Sequence, residues 1–251
     1  MPMLPDEPWR RLRRFTNARI GMGRAGNGLP TKHLLDFRVA HAMARDSVHS
    51  ALDFDALEQA LTSRIAHCPQ IIRIASRVTD RAEYLQRPDL GRRVVEADIV
   101  KLETGEWDIV FVIADGLSAE AVSRNAPDLL AETLPQLSSL RVGPLVLAGQ
   151  GRVGIGDEIG ERLGARMVVM LIGERPGLSS PASLGAYITW QPRLGRQNSE
   201  RNCISNIHAD GLVPPVAAVR LVSLIRGAMK MELTGVGLKD RGQLIEGEAP
   251  D

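Results

Sequence analysis

The glycine-rich turn at residues 149–154, Gly-Gln-Gly-Arg-Val-Gly, is the feature of the sequence that could most directly bind a ligand. It fits G-x-G-x-x-G, and Glu174 follows it by the ~20 residues at which dinucleotide-binding proteins place the acid for a ribose hydroxyl. Glycines let the backbone approach a phosphate, and the free N–H groups at a helix start attract it. Asp157 and Glu158, however, fall in the first turn of the following helix and would repel a pyrophosphate. Three interpretations stay open: a nicotinamide or flavin site, a structural tight turn, or a site for another nucleotide-like ligand.

The remaining reactive side chains form no recognisable catalytic or metal-binding pattern. There is no G-x-S-x-G elbow, and Cys203 has no patterned base beside it. Asp115 precedes a glycine, which is typical of a turn. Cys68 beside His67 matches no zinc spacing. The sequence therefore predicts neither a catalytic residue nor a metal ligand in this chain.

Short apolar runs predict the strands that would position the glycine turn. Residues 108–114, 144–148 and 166–172 are such runs, and helices are expected after the first two, from Ser118 and over 155–163. Strand–helix–strand–helix–strand order predicts parallel pairing. Residues 186–190 are a further candidate strand, and Pro214 begins a helix. The predicted fold class is α/β, a doubly wound, mostly parallel, Rossmann-like sheet preceded by an N-terminal helical region.

The N-terminal region is predicted to be helical. Thr31 begins a helix that runs to about Leu52, and its apolar spacing predicts a buried stripe of Leu35, Val39 and Ala42. Asp53 is a candidate N-cap for a second helix, whose predicted inward residues are Leu57, Leu61 and Ile65. We divide the chain into an N-terminal helical region and connector, 1–100, and an α/β domain, 101–251, with a loose tail from residue 242.

Charge and composition restrict the partners. The net charge is +1, so no global attraction to nucleic acid or an anionic membrane is expected. His41, Arg45 and His49 share one side of the first long helix, and a partner surface is the preferred interpretation there. The most apolar run, 167–172, is far shorter than the ~20 residues of a membrane span. Two cysteines and no secretory signal predict a cytoplasmic protein.

Several separated segments resemble the small (light) subunit family of ethanolamine ammonia-lyase. They are TNARIGMGRAGNGLPT at 16–31, AHAMARDSVH at 40–49, GERPGLSSPASLG at 173–185, RNCISNIH at 201–208 and LTGVGLKD at 233–240. The likeness covers nearly the whole chain and is weakest before residue 14 and over 76–106. Because unusual motifs agree in order, the resemblance is specific.

The resemblance implies a function that spacing alone does not. In this family an adenosylcobalamin-dependent radical reaction converts ethanolamine to acetaldehyde and ammonia on a large subunit, and the cobalamin lies between large and small subunits. It implies cofactor contacts at Val153, Glu174 and Cys203 and makes residues 101–251 a cobalamin-binding domain. The cobalamin-binding signature D-x-H-x-x-G is absent, so Cys203 is expected to contact the cofactor without ligating cobalt.

The expected assembly is therefore a hetero-oligomer with the large subunit, in the cytoplasm or inside a bacterial microcompartment. The competing hypothesis is a self-contained Rossmann-like module or dehydrogenase that binds NAD at the glycine turn. Binding of NADH by the isolated chain separates the two.

Overall fold

The structure is a computed structural model that describes residues 6–239, with side chains from Pro8 onward. Its helices are α1 (Asp6–Leu12), α2 (Thr31–His49), α3 (Phe54–Arg64), α4 (Arg81–Gln86), α5 (Ala119–Thr133), α6 (Ile155–Arg162) and α7 (Pro214–Met231). Its strands are β1 (Ile71–Ala75), β2 (Ile109–Ala114), β3 (Val142–Gly149), β4 (Met167–Gly173), β5 (Leu184–Trp190) and β6 (Arg201–Ile207). Short 3₁₀ turns join several of these elements.

The strands form one six-stranded sheet in the order β1-β3-β2-β4-β5-β6. The first four are parallel to one another, whereas β5 is antiparallel to β4 and β6 is antiparallel to β5. The α/β class is confirmed, but the Rossmann-like, mostly parallel description is only partly right because the sheet is mixed. The connection between β4 and β5, residues 174–183, contains no helix. A parallel return needs a longer crossover, so this short connection brings the chain back antiparallel.

Helices cover the two faces of the sheet unequally. α3, α5 and α7 pack on one face and share its apolar core with alternate residues of the strands. On the other face α6 contributes Ile155 and Ile159 to a smaller core. Strands β2 and β4 are buried along their whole length, which explains why continuous apolar runs predicted them correctly.

The predicted buried face is confirmed for α3 and wrong for α2. The side chain of Asp53 accepts a hydrogen bond from the Ala56 N–H at 3.0 Å, and the predicted inward residues of α3 (Leu57, Leu61 and Ile65) are buried. The predicted buried stripe of α2 is wrong: Leu35 is 53% and Val39 60% exposed. The reason is that no described residue packs over this side of the helix.

Strands β1 and β6 were not predicted. β1 is only five residues long, and β6 lies at the sheet edge with an irregular burial pattern. β1 pairs with β3 although it precedes residue 100; the division of the chain at that position stays a prediction. The expected C-terminal tail lies outside the described residues. Within residues 6–239, no helix is long and apolar enough to cross a membrane.

Candidate functional site

The carboxyl ends of β2, β3 and β4 lie at one edge of the sheet. From β2 the chain passes to α5 on one face, and from the adjacent β3 it passes to α6 on the other. Such a divergence of neighbouring connections leaves a crevice at the strand ends, where α/β proteins commonly bind ligands. Asp115 follows β2, the glycine turn follows β3, and Glu174 follows β4, so the sequence places its polar candidates at this edge.

Glu174, Tyr187 and Cys203 lie on the same face of the sheet. Side chains alternate along a strand, and Met170 and Ile172 belong to the core on the α6 face; Glu174 continues this series. Met170 is opposite Tyr187, and Tyr187 is opposite Cys203, in the antiparallel pairs. We call this surface of β5, β6 and the end of β4 the shelf.

Glu174 is held at the shelf by two hydrogen bonds to one carboxylate oxygen. Oε2 accepts from the Ser183 hydroxyl at 2.6 Å and from the Asn206 N–H at 3.2 Å. A Cβ added at Gly185 would meet Oε1 at 3.0 Å, so the glycine leaves room for the carboxylate beside Tyr187. No described residue donates to Oε1, which leaves an acceptor at the shelf for an amide or hydroxyl donor.

Tyr187 links the other two shelf residues. Its hydroxyl donates to the Cys203 sulfur. Burial raises the pKa of the Tyr187 phenol, and the charge of Cys203, this bond and the charge of Glu174 add to the shift in that order. Partial shielding from water raises the pKa of the Cys203 thiol, and the Glu174 charge adds to this effect, whereas the bond from Tyr187 opposes it. The thiol is therefore protonated near neutral pH, which favours a van der Waals contact over nucleophilic or metal-ligating chemistry.

Val153 lies in the turn between β3 and α6, half-buried, and packs against the core on the α6 face. The structure thus brings Glu174 and Cys203 together around Tyr187 and places Val153 on the same side of the sheet. Tyr187 was missed by sequence reasoning. Its position opposite Cys203 depends on the pairing of β5 with β6, and β6 carries no clear strand signal.

The glycine turn itself is closed by residues that precede β2. The Tyr84 hydroxyl donates to the Gly151 carbonyl at 3.1 Å, and the Arg152 N–H donates to the Gly91 carbonyl at 2.7 Å. The Arg152 guanidinium folds back over the Tyr84 ring, 4.0 Å from its centroid. A Cβ at Gly91 would lie 3.2 Å from the Gln150 carbonyl oxygen, so this segment lies directly against the turn.

Asp115 occupies the inner side of the same turn. It is 5% exposed, and Arg81 donates to its Oδ2 at 3.2 Å. Burial raises its pKa to about 6, although Arg81 and the N–H groups of Gln150, Gly151 and Gly116 oppose the shift. Oδ1 makes no hydrogen bond of acceptable geometry with the described residues. A carboxylate where a phosphate would lie argues against a pyrophosphate at this turn.

The acids of the first helical turn have a different role from the one predicted. Asp157 pairs with Arg201, with N–O distances of 2.5 and 2.6 Å. Glu158 accepts from Arg93 at 2.9 Å and from the Val94 N–H at 3.0 Å. Both acids are buried and neutralised by arginine, so they support the fold and do not repel a ligand. The closed turn and Asp115 are what disfavour the NAD hypothesis.

Ser180 and His208 lie close together near the shelf, as a nucleophile and its general base would. Ser180 Oγ lies 2.9 Å from His208 Nε2, and Nε2 also lies 2.7 Å from Asn206 Oδ1. The Asp210 N–H donates to Nδ1 at 3.2 Å, so the proton of the neutral ring is on Nε2. A protonated Nε2 cannot accept the serine proton, and the pair is not a nucleophile and base.

Metal-binding groups are also not assembled. Over the described residues, no cluster of three or more His, Cys, Asp or Glu side chains is placed to hold a metal ion. Site and fold together define an α/β chain with a shelf of Glu174, Tyr187 and Cys203 at its sheet edge, without an assembled nucleophilic or metal centre in the described part.

Comparison with known proteins identifies the family of this chain. The family model "Ethanolamine ammonia-lyase light chain (EutC)" matches residues 6–239. The ethanolamine ammonia-lyase small subunits of Pseudomonas fluorescens (strain Pf0-1) and Pseudomonas putida (strain KT2440) are each 48% identical to it. These alignments cover 99% and 98% of this chain, and 93% of each relative. The chain belongs to the ethanolamine ammonia-lyase light-chain family and is, in that sense, a subunit of a lyase.

Proposed function

We propose that this chain is the small subunit of an adenosylcobalamin-dependent ethanolamine ammonia-lyase and helps to bind the cobalamin at the interface with a large subunit. The complex converts ethanolamine to acetaldehyde and ammonia, and the catalytic residues lie on the large subunit. Family membership supports the reaction. The observation that supports the cofactor role is the grouping of Glu174, Tyr187 and Cys203 on one shelf at the sheet edge. We place the assembly in the cytoplasm or in a bacterial microcompartment.

The shelf fits the chemistry of a corrin. A corrin has a broad apolar ring face and a rim of amide side chains; when bound, the cofactor supplies the cobalt–carbon bond whose homolysis starts the radical reaction. Tyr187, Cys203 and Val153 offer apolar surface for the ring. Glu174 Oε1 offers an acceptor for a rim amide, and the Ser183 and Asn206 bonds to Oε2 hold that acceptor in place. This chain would therefore bind and orient the cofactor.

The decisive experiment uses the assembled enzyme. The chain is co-expressed with the large subunit from the same genome, and cobalamin affinity is measured by visible absorption. Glu174→Ala should weaken cobalamin binding by about 1–3 kcal/mol because it removes a hydrogen-bond acceptor from the site. Glu132→Ala, at an exposed position on α5, is the matched control and should leave the dissociation constant unchanged.

Two results would contradict the proposal. One is a Glu174→Ala complex that binds cobalamin as tightly as the Glu132→Ala complex, which removes Glu174 from the site. The other is acetaldehyde formation by the large subunit that does not depend on this chain. Titration of the isolated chain with NADH tests the competing hypothesis, and no micromolar binding is expected because Asp115 and residues 84–91 close the glycine turn.

A further inference from the structure

Helix α2 is attached to the rest of the chain at its carboxyl end. Its buried residue is Ser47, whose hydroxyl lies 2.9 Å from the Ser118 hydroxyl at the start of α5. The Arg81 Nε donates to the Val48 carbonyl at 2.7 Å. The preceding turns of this 19-residue helix are mostly exposed. A helix of this length without a packed face is only marginally stable in water, so a covering surface is expected.

The uncovered side carries an apolar stripe. Leu35, Val39 and Met43 recur every fourth residue and are 53%, 60% and 55% exposed. Residues at this spacing lie above one another on a helix, and Leu34 and Phe37 add further exposed apolar surface. Since this pattern is the signature of a buried helix face, its exposure marks an interface with another polypeptide.

Charge is distributed very unevenly along the chain, and a basic segment precedes this stripe. Residues 10–49, which we call the arm, contain nine Lys or Arg and two acidic residues, a net charge of +7. The whole chain has a net charge of +1, so the remainder carries −6. Helix α2 itself has a net charge of only +1, because Asp36 and Asp46 offset two of its three Lys and Arg residues, and Arg45 pairs with Asp46. The six arginines of residues 10–24 supply the rest of the charge. An apolar helix face preceded by a strongly basic segment fits a partner whose apolar groove adjoins an acidic surface.

The attachment of the arm also determines where its partner would lie. Ser47 donates to the Pro181 carbonyl at 3.2 Å, and Arg19 donates to the Leu178 carbonyl at 3.3 Å. Pro181 and Leu178 both belong to the connection that begins at Glu174 and leads into β5. The arm is therefore fixed to the segment that forms one side of the shelf. A polypeptide bound along α2 is brought next to that shelf.

We propose that the arm is the docking element for the large subunit, with Leu35, Val39 and Met43 entering an apolar groove and residues 10–24 facing an acidic surface beside it. This inference rests on the proposed function, because it identifies the surface through which that assembly forms. The position of the arm beside the shelf favours the large subunit over a second copy of this chain. Because the rest of the chain is acidic, it could also attract the basic arm of a second copy. Self-association is therefore the alternative that the test must exclude.

The test compares two pairs of substitutions that add the same charge. Leu35→Glu with Val39→Glu alters the stripe, whereas Val100→Glu with Val236→Glu alters two apolar residues elsewhere that are 79% and 85% exposed. The stripe variant should weaken binding to the large subunit by at least about 100-fold, since two carboxylates would be buried in an apolar groove. The control variant should stay within about threefold. Circular dichroism and Tm check that both variants fold like the wild type.

Hydrogen exchange on the unmodified chain gives an independent answer. Amides of the first half of α2 should exchange more slowly in the complex with the large subunit than in the isolated chain. Full affinity of the stripe variant, unchanged exchange in α2, or loss of self-association without loss of large-subunit binding would each overturn the inference. A wild-type chain that forms no complex at all would instead refute the proposed function. The outcomes therefore separate the two.

Discussion

Helices α2 and α7 have similar lengths but opposite environments. α2 has 19 residues, of which Ser47 is buried, whereas the 18-residue α7 buries seven residues against α5 and the sheet. Both carry apolar side chains at helical spacing. The difference lies in whether the chain itself supplies the covering surface: it does for α7 and, over the described residues, not for α2. A buried-face pattern therefore does not show by itself whether this chain or another polypeptide covers the helix.

The largest loss of stability is expected at the buried ion pair between Asp157 and Arg201. Asp157 and Arg201 are each about 4% exposed and paired with each other. Asp157→Ala should lower the free energy of unfolding by about 3–5 kcal/mol, because Arg201 would remain buried without a counter-charge. Urea denaturation measures this loss. Asp128→Ala breaks the pair with Arg64, in which both side chains are about half exposed, and should lower stability by less than about 1 kcal/mol. Equal losses in the two variants would contradict this account of partnered charges.

A smaller effect tests the two helices directly. Leu221 in α7 is fully buried, and Leu221→Ala should lower the unfolding free energy by about 2–5 kcal/mol because a cavity forms. Leu35→Ala in α2 should change the stability of the isolated chain by about 0.5 kcal/mol or less, since Leu35 is exposed. Chemical denaturation of both variants without the large subunit measures the contrast. A comparable loss for Leu35→Ala would mean that α2 is covered within the chain after all.

The smallest effect on stability is expected at Asp115, where Oδ2 accepts a hydrogen bond from Arg81 and Oδ1 has no hydrogen-bond partner among the described residues. Its pKa is raised from 3.8 to about 6, so the folded protein favours the protonated carboxyl. The stabilisation from protonation is complete below pH 3.8 and is lost as the pH rises through about 6. Relative to Asp115→Asn, the wild type should therefore lose up to about 3 kcal/mol between pH 4 and 7. Unfolding curves measured across this range check the sign, and parallel pH profiles would show that Asp115 does not titrate in this window.

The elements most predictable from sequence were those whose contacts are local or buried within this chain. The central strands appear as continuous apolar runs because both of their faces are buried, and Asp53 was a recognisable cap because capping is local. Strand β6 was missed because an edge strand needs few apolar residues, and its pairing depends on distant β5. Tyr187 was missed for the same reason, because its position opposite Cys203 depends on the pairing of β5 with β6. Val153, Glu174 and Cys203 became proposed cofactor contacts through the family resemblance, since no spacing rule predicts a shelf formed by an antiparallel return.

Arg81 connects the two surfaces to which we assign proposed functions, helix α2 and the turn beside the shelf. It donates to the last turn of α2 through Val48 and to Asp115, which faces the turn that carries Val153. If binding of the large subunit shifts the end of α2, the same bonds carry that shift to the proposed corrin contact at Val153. Thermodynamic linkage then makes the effect reciprocal. If subunit assembly raises the affinity for cobalamin by a given factor, bound cobalamin raises the affinity between the subunits by the same factor.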